Sequence, residues 1–184
     1  SVYGVFATLF ERGTDLSEAT RSDLIRVGYE QGLRLRRLVE ELLDLSRVDS
    51  RGLRIEPEPL ILRTLVGQIV SESVPPGAEV QLDVPHDLAV VADRLVIDRV
   101  LSNLLTNAMK FSARGVRVVL RVATDGPHAV ISVRDVGEGI ATDCLPHIFE
   151  RYRQGSEAGA RVHGGLGLGL AIVREIVALH HGTV

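Results

Sequence analysis

The feature that most constrains the fold is an apolar stripe that repeats every three or four positions between about Glu18 and Ser50. This spacing predicts one helix of roughly thirty residues with an apolar face along its whole length. A small domain cannot bury a helix of this length, so the face is expected to pack against a partner. The stripe consists of Leu24, Val27, Leu35, Leu38, Leu42 and Leu45, with the polar Gln31 at the same spacing.

A shorter helix is predicted before this long one. Val2–Glu11 has a helical pattern that Gly13 breaks, and Thr14, Asp15 and Ser17 are residue types that cap a following helix. Two consecutive helices with apolar faces form a hairpin, and two copies of a hairpin can bury those faces in a four-helix bundle. The sequence therefore predicts a homodimer that forms through the helical hairpin.

Composition excludes several classes of protein. The chain has 184 residues, 24% of them charged and 45% hydrophobic, as in ordinary globular proteins. Its formal net charge of −3 provides no basic surface for nucleic acid, so no nucleic-acid partner is expected. No apolar run approaches the ~20 residues of a membrane-spanning helix, so no membrane segment is expected within this fragment.

The residues after the hairpin show a mixed pattern, which predicts an α+β fold. Arg51–Pro59 has the composition of a linker with a short strand, and Asp125, Gly126 and Pro127 form the turn of a β-hairpin. The predicted helices are about Leu62–Glu72, Asp98–Ser112, a short helix or turn at Cys144–Tyr152, and Leu168–His180; the predicted strands are Val80–Val84, Ala89–Ala92, Val116–Ala123 and Ala129–Arg134.

Polar side chains recur on one line of the helix predicted at Asp98–Ser112. Asn103, Asn107 and Lys110, the only lysine, are spaced at i, i+4 and i+7 beside an apolar arc, and we call them the polar stripe. Carboxamides offer oxygen atoms to a hard cation and N–H groups to phosphate, and an ammonium group adds a positive charge. The stripe therefore suits a metal-bound polyphosphate, and a solvated helix face is the simpler alternative.

Two glycine-containing segments follow the polar stripe. Asp135 ends a strand and is followed by Gly137 and Gly139, which allow a flat ligand to approach the backbone while a buried carboxylate accepts a hydrogen bond from an exocyclic amine. The run GGLGLGL at 164–170 leads into a helix whose free N–H groups suit phosphate oxygens. A capped turn and a flexible loop are the alternatives. The run fits neither the Walker loop nor the dinucleotide fingerprint.

Taken in order, these patterns resemble the N, G1, F and G2 boxes of sensor histidine kinases. The resemblance covers the chain from the helical hairpin to the end, and leucine at position 166 is typical of hybrid-type kinases. The matching residues are Asn103, Asn107 and Lys110; Asp135, Gly137 and Gly139; Phe149 and Tyr152; and Gly165, Gly167 and Gly169.

The resemblance implies ATP as the nucleotide and Mg²⁺ as its metal ion. Asn107 would coordinate the Mg²⁺, Asn103 and Lys110 would contact phosphates, and Asp135 would bind the adenine amino group. Arg153 would reach the phosphates when a lid over the ATP closes, which makes Asn103, Lys110 and Arg153 the expected catalytic residues. The other implied ATP-binding residues are Phe111 and Ile140 as walls for the base, Gly137 and Gly139, and Gly165, Leu166, Gly167, Leu168, Gly169 and Leu170 around the lid hinge.

The chain departs from the family pattern at two places. Val136 stands where the family has asparagine, which removes one expected polar contact near the nucleotide but leaves Asp135 in place. The family's phosphate acceptor is a histidine on the first hairpin helix, and this chain has no histidine before His86. We therefore expect the acceptor upstream of Ser1 and a further strand after Val184.

The resemblance implies a dimerisation hairpin at 1–50, a linker at 51–59, and at 60–184 an ATP-binding α/β sandwich of the histidine kinase, chaperone and mismatch-repair type. It also implies transfer of the γ-phosphoryl group of ATP to histidine, relay to an aspartate of a response regulator receiver domain, and a cytoplasmic location, free or as part of a membrane-anchored sensor. Two alternatives stay open: an ATPase of the same superfamily, and a non-catalytic nucleotide-binding dimerisation module. The ATPases have a glutamate base where this chain has Asn103, and a carboxamide cannot deprotonate water.

Overall fold

The computed structural model describes residues 2–13, 15–49, 55–75, 77–112, 117–153 and 166–184, with the backbone alone at 37, 41 and 44–49. The chain divides into two compact units, Ser1–Ser46 and Arg47–Val184. The first unit contains helices only, and the second contains helices and strands.

Two helices form the first unit, α1 at Val2–Arg12 and α2 at Glu18–Asp49. The hydroxyl oxygen of Ser17 accepts a hydrogen bond from the Thr20 N–H at 3.2 Å, so Ser17 caps α2. All of α1 is described, and none of its residues is buried. Large apolar side chains of both helices are therefore exposed: Tyr3, Phe6, Phe10, Ile25, Tyr29, Leu35, Val39, Leu42 and Leu43.

The second unit contains two small sheets. In one, β1 at Glu58–Ile61 pairs antiparallel with β3 at Ala89–Ala92. In the other, β4 at Val118–Asp125 lies between β2 at Val80–Asp83, to which it is parallel, and β5 at His128–Arg134, to which it is antiparallel.

The described part of this unit also contains three α-helices: α3 at Leu62–Ser73, which contacts β1, α4 at Arg94–Phe111, which contacts β5, and α5 at Gly169–Leu179. Helix α4 contacts both α3 and α5. This arrangement of helices and sheets confirms the predicted α+β class. The large side chains that are almost fully buried lie on α3, α4 and β4 and in or directly before α5: Leu62, Val66, Leu101, Leu105, Val118, Leu120, Leu168, Ile172 and Val173.

Most predicted elements are present, and the differences lie at their ends. Helix α4 begins at Arg94, four residues before the predicted start at Asp98, because Asp93 caps it. The strand predicted within Arg51–Pro59 is β1, which runs on to Ile61 because its partner β3 extends to Ala89. Among the described helices, none is both long and apolar enough to cross a membrane.

Candidate functional site

The polar stripe lies along the rim of the core. Asn103, Asn107 and Lys110 are half-buried on α4, while Leu101 and Leu105 of the same helix are fully buried. The apolar period of the helix thus faces the core, and it leaves the polar stripe at the boundary between core and solvent.

One side-chain atom of this stripe has no hydrogen-bond partner among the residues that the structure describes. The side-chain nitrogen Nδ2 of Asn103 is buried, and no described residue accepts a hydrogen bond from it. An unpaired buried amide costs roughly 1–3 kcal/mol, so such groups in native proteins call for a water, an ion or a ligand. The Nδ2 atom is therefore a sign of a binding site beside this part of α4.

The start of α5 lies directly against the same asparagines. A Cβ atom built at Gly169 would lie 3.1 Å from Oδ1 of Asn103 and 4.0 Å from Nδ2 of Asn107. Gly169 is the first residue of α5, and the first N–H groups of a helix have no intrahelical partner and attract anions. Carboxamides and a helix N-terminus therefore converge on one small space.

The turn after β5 lies at the other end of α4. Gly137 forms a β-bridge with Ser112, the residue that follows α4, and a Cβ at Gly137 would collide with the carbonyl oxygen of Phe111. Oδ1 of Asp135 accepts a hydrogen bond from the Gly137 N–H at 2.9 Å. Among the described residues, no group donates to Oδ2, so this oxygen can accept a hydrogen bond from a ligand.

Asp135 differs from the prediction in its burial. We expected a buried carboxylate, but the residue is exposed, as are Gly137 and Gly139 in the same turn. All residues from 135 to 140 are exposed, although Gly137 is bridged to Ser112 at the end of α4. Gly139 has a φ of 74°, a conformation that glycine adopts without strain.

Aromatic and apolar surface lies close to this turn. Phe111 is 49% exposed and Ile140 is 53% exposed, which leaves both side chains open to contact with a flat ligand. The ammonium nitrogen of Lys110 lies 4.8 Å from the centroid of the Phe111 ring, within the range of a cation–π interaction.

A backbone hydrogen bond joins the segment after the short 3₁₀ helix at Leu145–His147 to the residues just before α5. The Tyr152 N–H donates to the carbonyl oxygen of Gly167 at 3.0 Å, and the two residues have φ values of 63° and 71°. A Cβ at Gly167 would collide with the backbone of Arg153, so glycine is required for this close approach. The backbone of Arg153 therefore lies directly beside Gly167, two residues before α5.

Charged side chains near Tyr152 form ion pairs. Arg151 and Glu175 of α5 form a half-buried ion pair of 2.7 Å. Hydrogen bonding from His147 lowers the pKa of the exposed Glu150 carboxyl, and the charges of His147, Arg153 and Arg174 act in the same direction. Arg153 is exposed and thus accessible to an anionic ligand.

The structure brings the predicted residues of α4, of the Asp135 turn and of the start of α5 around one helix. Gly165 lies outside the described residues, whereas Leu166, Gly167, Leu168, Gly169 and Leu170 lie within them. Leu168 is fully buried, so it can support the site only by packing.

Donor chemistry at the stripe fits Mg²⁺ bound together with phosphates. Among the described residues, no three histidine, cysteine or acidic side chains are grouped as a metal site. Mg²⁺ commonly takes few protein ligands and completes its coordination with substrate phosphates and water, and the amide oxygen of Asn107 is one such ligand. Because Gly169 has no side chain, the first residue of α5 lies close to both asparagines without filling the space between them.

Sequence reasoning missed Asp93. This residue is buried, and its Oδ1 accepts hydrogen bonds from the N–H groups of Leu95 at 2.9 Å and Val96 at 3.2 Å. Aspartate is a preferred N-cap residue, so the available signal was an Asp directly before Arg94 and Leu95. Asp98 is also an aspartate, and the helix was predicted to start there instead.

Comparison with known proteins shows which family shares these features. Residues 92–184 match the family described as histidine kinase-, DNA gyrase B-, and HSP90-like ATPase. The chain is 33% identical over its whole length to the sensor protein KdpD of Clostridium acetobutylicum and 36% identical over 97% of its length to the probable sensor histidine kinase TcrY of Mycobacterium tuberculosis. It spans 21% and 38% of the lengths of these two proteins.

Solved structures resemble this chain as well. The histidine kinase AdeS of Acinetobacter baumannii has a TM-score of 0.69 at 24% identity, covering 96% of this chain and 81% of that one, which supports the fold alone. Full-length ShkA in complex with AMPPNP has a TM-score of 0.69 at 28% identity, covering 91% of this chain and 35% of that one.

Proposed function

The chain belongs to the histidine kinase-, DNA gyrase B- and HSP90-like ATPase family, and we propose that it is the dimerisation and ATP-binding core of a sensor histidine kinase. The observation that carries this proposal is the Nδ2 atom of Asn103, which is buried beside the start of α5 and has no hydrogen-bond partner within the described part of the chain. Similarity to named sensor histidine kinases, over 97% of the chain in the case of TcrY, supports the same assignment.

Phosphate binding follows from the groups that converge on Gly169. The Nδ2 atom of Asn103 gains a hydrogen-bond acceptor when a phosphate oxygen binds, and the first N–H groups of α5 donate to the same anion. Lys110 adds a positive charge from the same face of α4. Mg²⁺, held by Asn107, would neutralise charge on the phosphates, and phosphoryl transfer depends mainly on such positioning and neutralisation.

Adenine binding is assigned to the turn after β5. Oδ2 of Asp135 can accept a hydrogen bond from an exocyclic amine, because only Oδ1 is used by the Gly137 N–H. Phe111 and Ile140 offer exposed apolar surface for the faces of the base. Because the bridge between Ser112 and Gly137 ties this turn to the end of α4, base and phosphates bind along one helix.

The proposed reaction moves the γ-phosphoryl group of ATP to a histidine and then to an aspartate of a response regulator receiver domain. No histidine precedes His86 in this chain, so the acceptor is proposed to lie before Ser1. Arg153 is proposed to contact the phosphates from its exposed position after Tyr152.

The hairpin is proposed to form the homodimer. Phe10 is 93% exposed and Tyr3 is 83% exposed, and exposed aromatic surface of this kind is typical of an interface. Light scattering of the chain should give twice its monomer mass of 20.0 kDa, and Phe10→Asp should reduce the dimer fraction. A monomeric wild-type chain would contradict this part of the proposal.

A nucleotide titration tests the proposed ATP site. The chain should bind AMPPNP with Mg²⁺ and bind it more weakly without the metal, and Asn107→Ala should abolish this metal dependence. Gln68→Ala removes a carboxamide from an exposed position on α3 and should leave binding unchanged. Absence of binding by the wild-type chain would overturn both the kinase and the ATPase assignments.

A labelling experiment separates the kinase from its alternatives. A longer chain that includes the residues before Ser1 is incubated with ATP labelled at the γ-phosphate. The kinase assignment predicts acid-labile, base-stable phosphate on the protein. Release of free phosphate without labelled protein would identify an ATPase, and nucleotide binding with neither product would identify a non-catalytic module.

A further inference from the structure

Helices α4 and α5 contact each other, and two of their contacts show how they run relative to each other. At one end, the backbone N–H of Asp93, the cap of α4, lies 3.4 Å from Nε2 of His180, which follows the last residue of α5. At the other end, the first residue of α5, Gly169, lies against Asn103. The start of α4 therefore lies at the end of α5, and the start of α5 lies at the middle of α4. The two helices are antiparallel.

The spacings along the two helices match. At about 1.5 Å per residue, Asp93 and Asn103 are separated by about 15 Å along α4, and Gly169 and His180 are separated by roughly 16 Å along α5. A contact at the first end therefore sets the register at the second. If α5 shifts along α4, Gly169 and the N–H groups next to it shift relative to Asn103.

Asp93 is held rigidly enough to set such a register. Its Oδ1 caps α4, and its Oδ2 accepts a hydrogen bond from the Glu56 N–H at 2.9 Å. Its carbonyl oxygen accepts from the Ile97 N–H at 3.0 Å, and its N–H faces His180. Each polar atom of Asp93 thus has a partner, and the residue is 8% exposed.

The ring of His180 is oriented by both of its nitrogens. Nδ1 lies 3.1 Å from the carbonyl oxygen of Ile176, one turn earlier in α5, and Nε2 faces the Asp93 N–H. A carbonyl oxygen can only accept and a backbone N–H can only donate. In this geometry Nδ1 donates to the carbonyl oxygen and Nε2 accepts from the Asp93 N–H, so the ring connects the last turn of α5 to the cap of α4.

We propose that His180 is a positioning residue for the nucleotide site, because its bond to Asp93 sets the register that places Gly169 against Asn103 and Asn107. This inference rests on the proposed function. His180 does not touch the nucleotide, and it acts on binding through the position of α5.

Three substitutions at position 180 test the proposal by titration with AMPPNP and Mg²⁺. His180→Leu keeps the volume but loses both hydrogen bonds, and His180→Asn can still donate to Ile176 but ends short of Asp93. Both should bind about tenfold more weakly than the wild-type chain. His180→Gln places an amide oxygen near the position of Nε2 and should bind within about twofold of the wild-type chain.

Exposed His86, in the loop between β2 and β3, provides the matched control, and His86→Leu should bind as the wild-type chain does. All titrations are made at a temperature where circular dichroism shows each variant folded. If His180→Leu does not fold, the comparison of His180→Asn with His180→Gln decides.

Two results would overturn the inference while the proposed function stands. One is wild-type affinity in both His180→Leu and His180→Asn. The other is an equal loss in His180→Gln and His180→Asn, which would show that the bond to Asp93 does not matter. Failure of the wild-type chain to bind AMPPNP would instead overturn the proposed function, and this inference with it.

Discussion

The start and the middle of α4 differ in how their buried polar groups are hydrogen-bonded. At its start, Asp93 is buried and each of its polar atoms has a partner within the protein. Further along, Nδ2 of Asn103 is buried and has no partner among the described residues. A satisfied buried group stabilises the fold, whereas an unsatisfied one costs free energy until something binds to it. Helix α4 thus has a structural anchor at its start, Asp93, and the proposed binding site at its middle, around Asn103.

The largest effect on stability is expected at the anchor. Asp93→Ala should lower the free energy of unfolding by about 3 kcal/mol, because α4 loses its cap and the Glu56 N–H loses its acceptor. Urea denaturation measures this change. Asp83→Ala, which removes an exposed ion pair with Arg121, is the control and should cost less than about 0.5 kcal/mol. Equal losses in the two variants would remove the contrast between the start and the middle of α4.

The opposite result is expected at the middle of the helix. Asn103→Ala should weaken binding of AMPPNP by about tenfold or more, since a charge-assisted hydrogen bond is lost. Its free energy of unfolding should stay within about 1 kcal/mol of the wild-type value, because the removed Nδ2 atom has no described partner in the free protein. Measuring both the affinity for AMPPNP and the free energy of unfolding in Asp93→Ala and Asn103→Ala tests this contrast. A loss of stability at Asn103 as large as at Asp93 would contradict it.

The sequence predicted the polar stripe and the class of fold because both depend on local periodicity. The apolar positions Leu101, Leu105 and Ala108 are buried, and Asn103 and Asn107 lie beside them. Periodicity is a property of neighbouring residues, so it can be recognised without knowledge of the tertiary structure.

Two features could not be predicted in the same way. Asp135 was expected to be buried but is exposed, because burial depends on which distant segments cover a turn. The partners of Asp93 include Glu56 and His180, which are far away in sequence, so its role as an anchor became visible only in the folded chain. The assignments of individual residues to ATP and Mg²⁺ stay predictions until the titrations are made.

A smaller effect is expected where α5 meets the stripe. Gly169→Ala should weaken binding of AMPPNP by about fivefold, because its Cβ would lie 3.1 Å from Oδ1 of Asn103 and fill space proposed for phosphate. Gly67→Ala on α3 is the matched control, since no atom lies within 4 Å of its Cβ position. The control should raise the free energy of unfolding by roughly 0.5–1 kcal/mol and leave binding unchanged. Unchanged binding in Gly169→Ala would show that this space is not used by the nucleotide.

The smallest effect is expected for a substitution at His181, the residue after His180. This substitution tests whether the His180 ring or the conformation of the helix end sets the position of α5. His181 has a φ of 59°, and its N–H and that of Gly182 donate to the carbonyl oxygens of Ala178 at 3.0 Å and Val177 at 2.9 Å. This is the Schellman motif, whose left-handed residue is usually glycine. His181→Gly removes roughly 1 kcal/mol of backbone strain but makes the unfolded chain more flexible. Thermal denaturation should therefore show a free energy of unfolding that is higher by about 0.5 kcal/mol. Binding of AMPPNP should not change, because the bond between Asp93 and His180 is retained. A change in affinity comparable to that of His180→Leu would mean that the helix end, rather than the His180 ring, sets the position of Gly169.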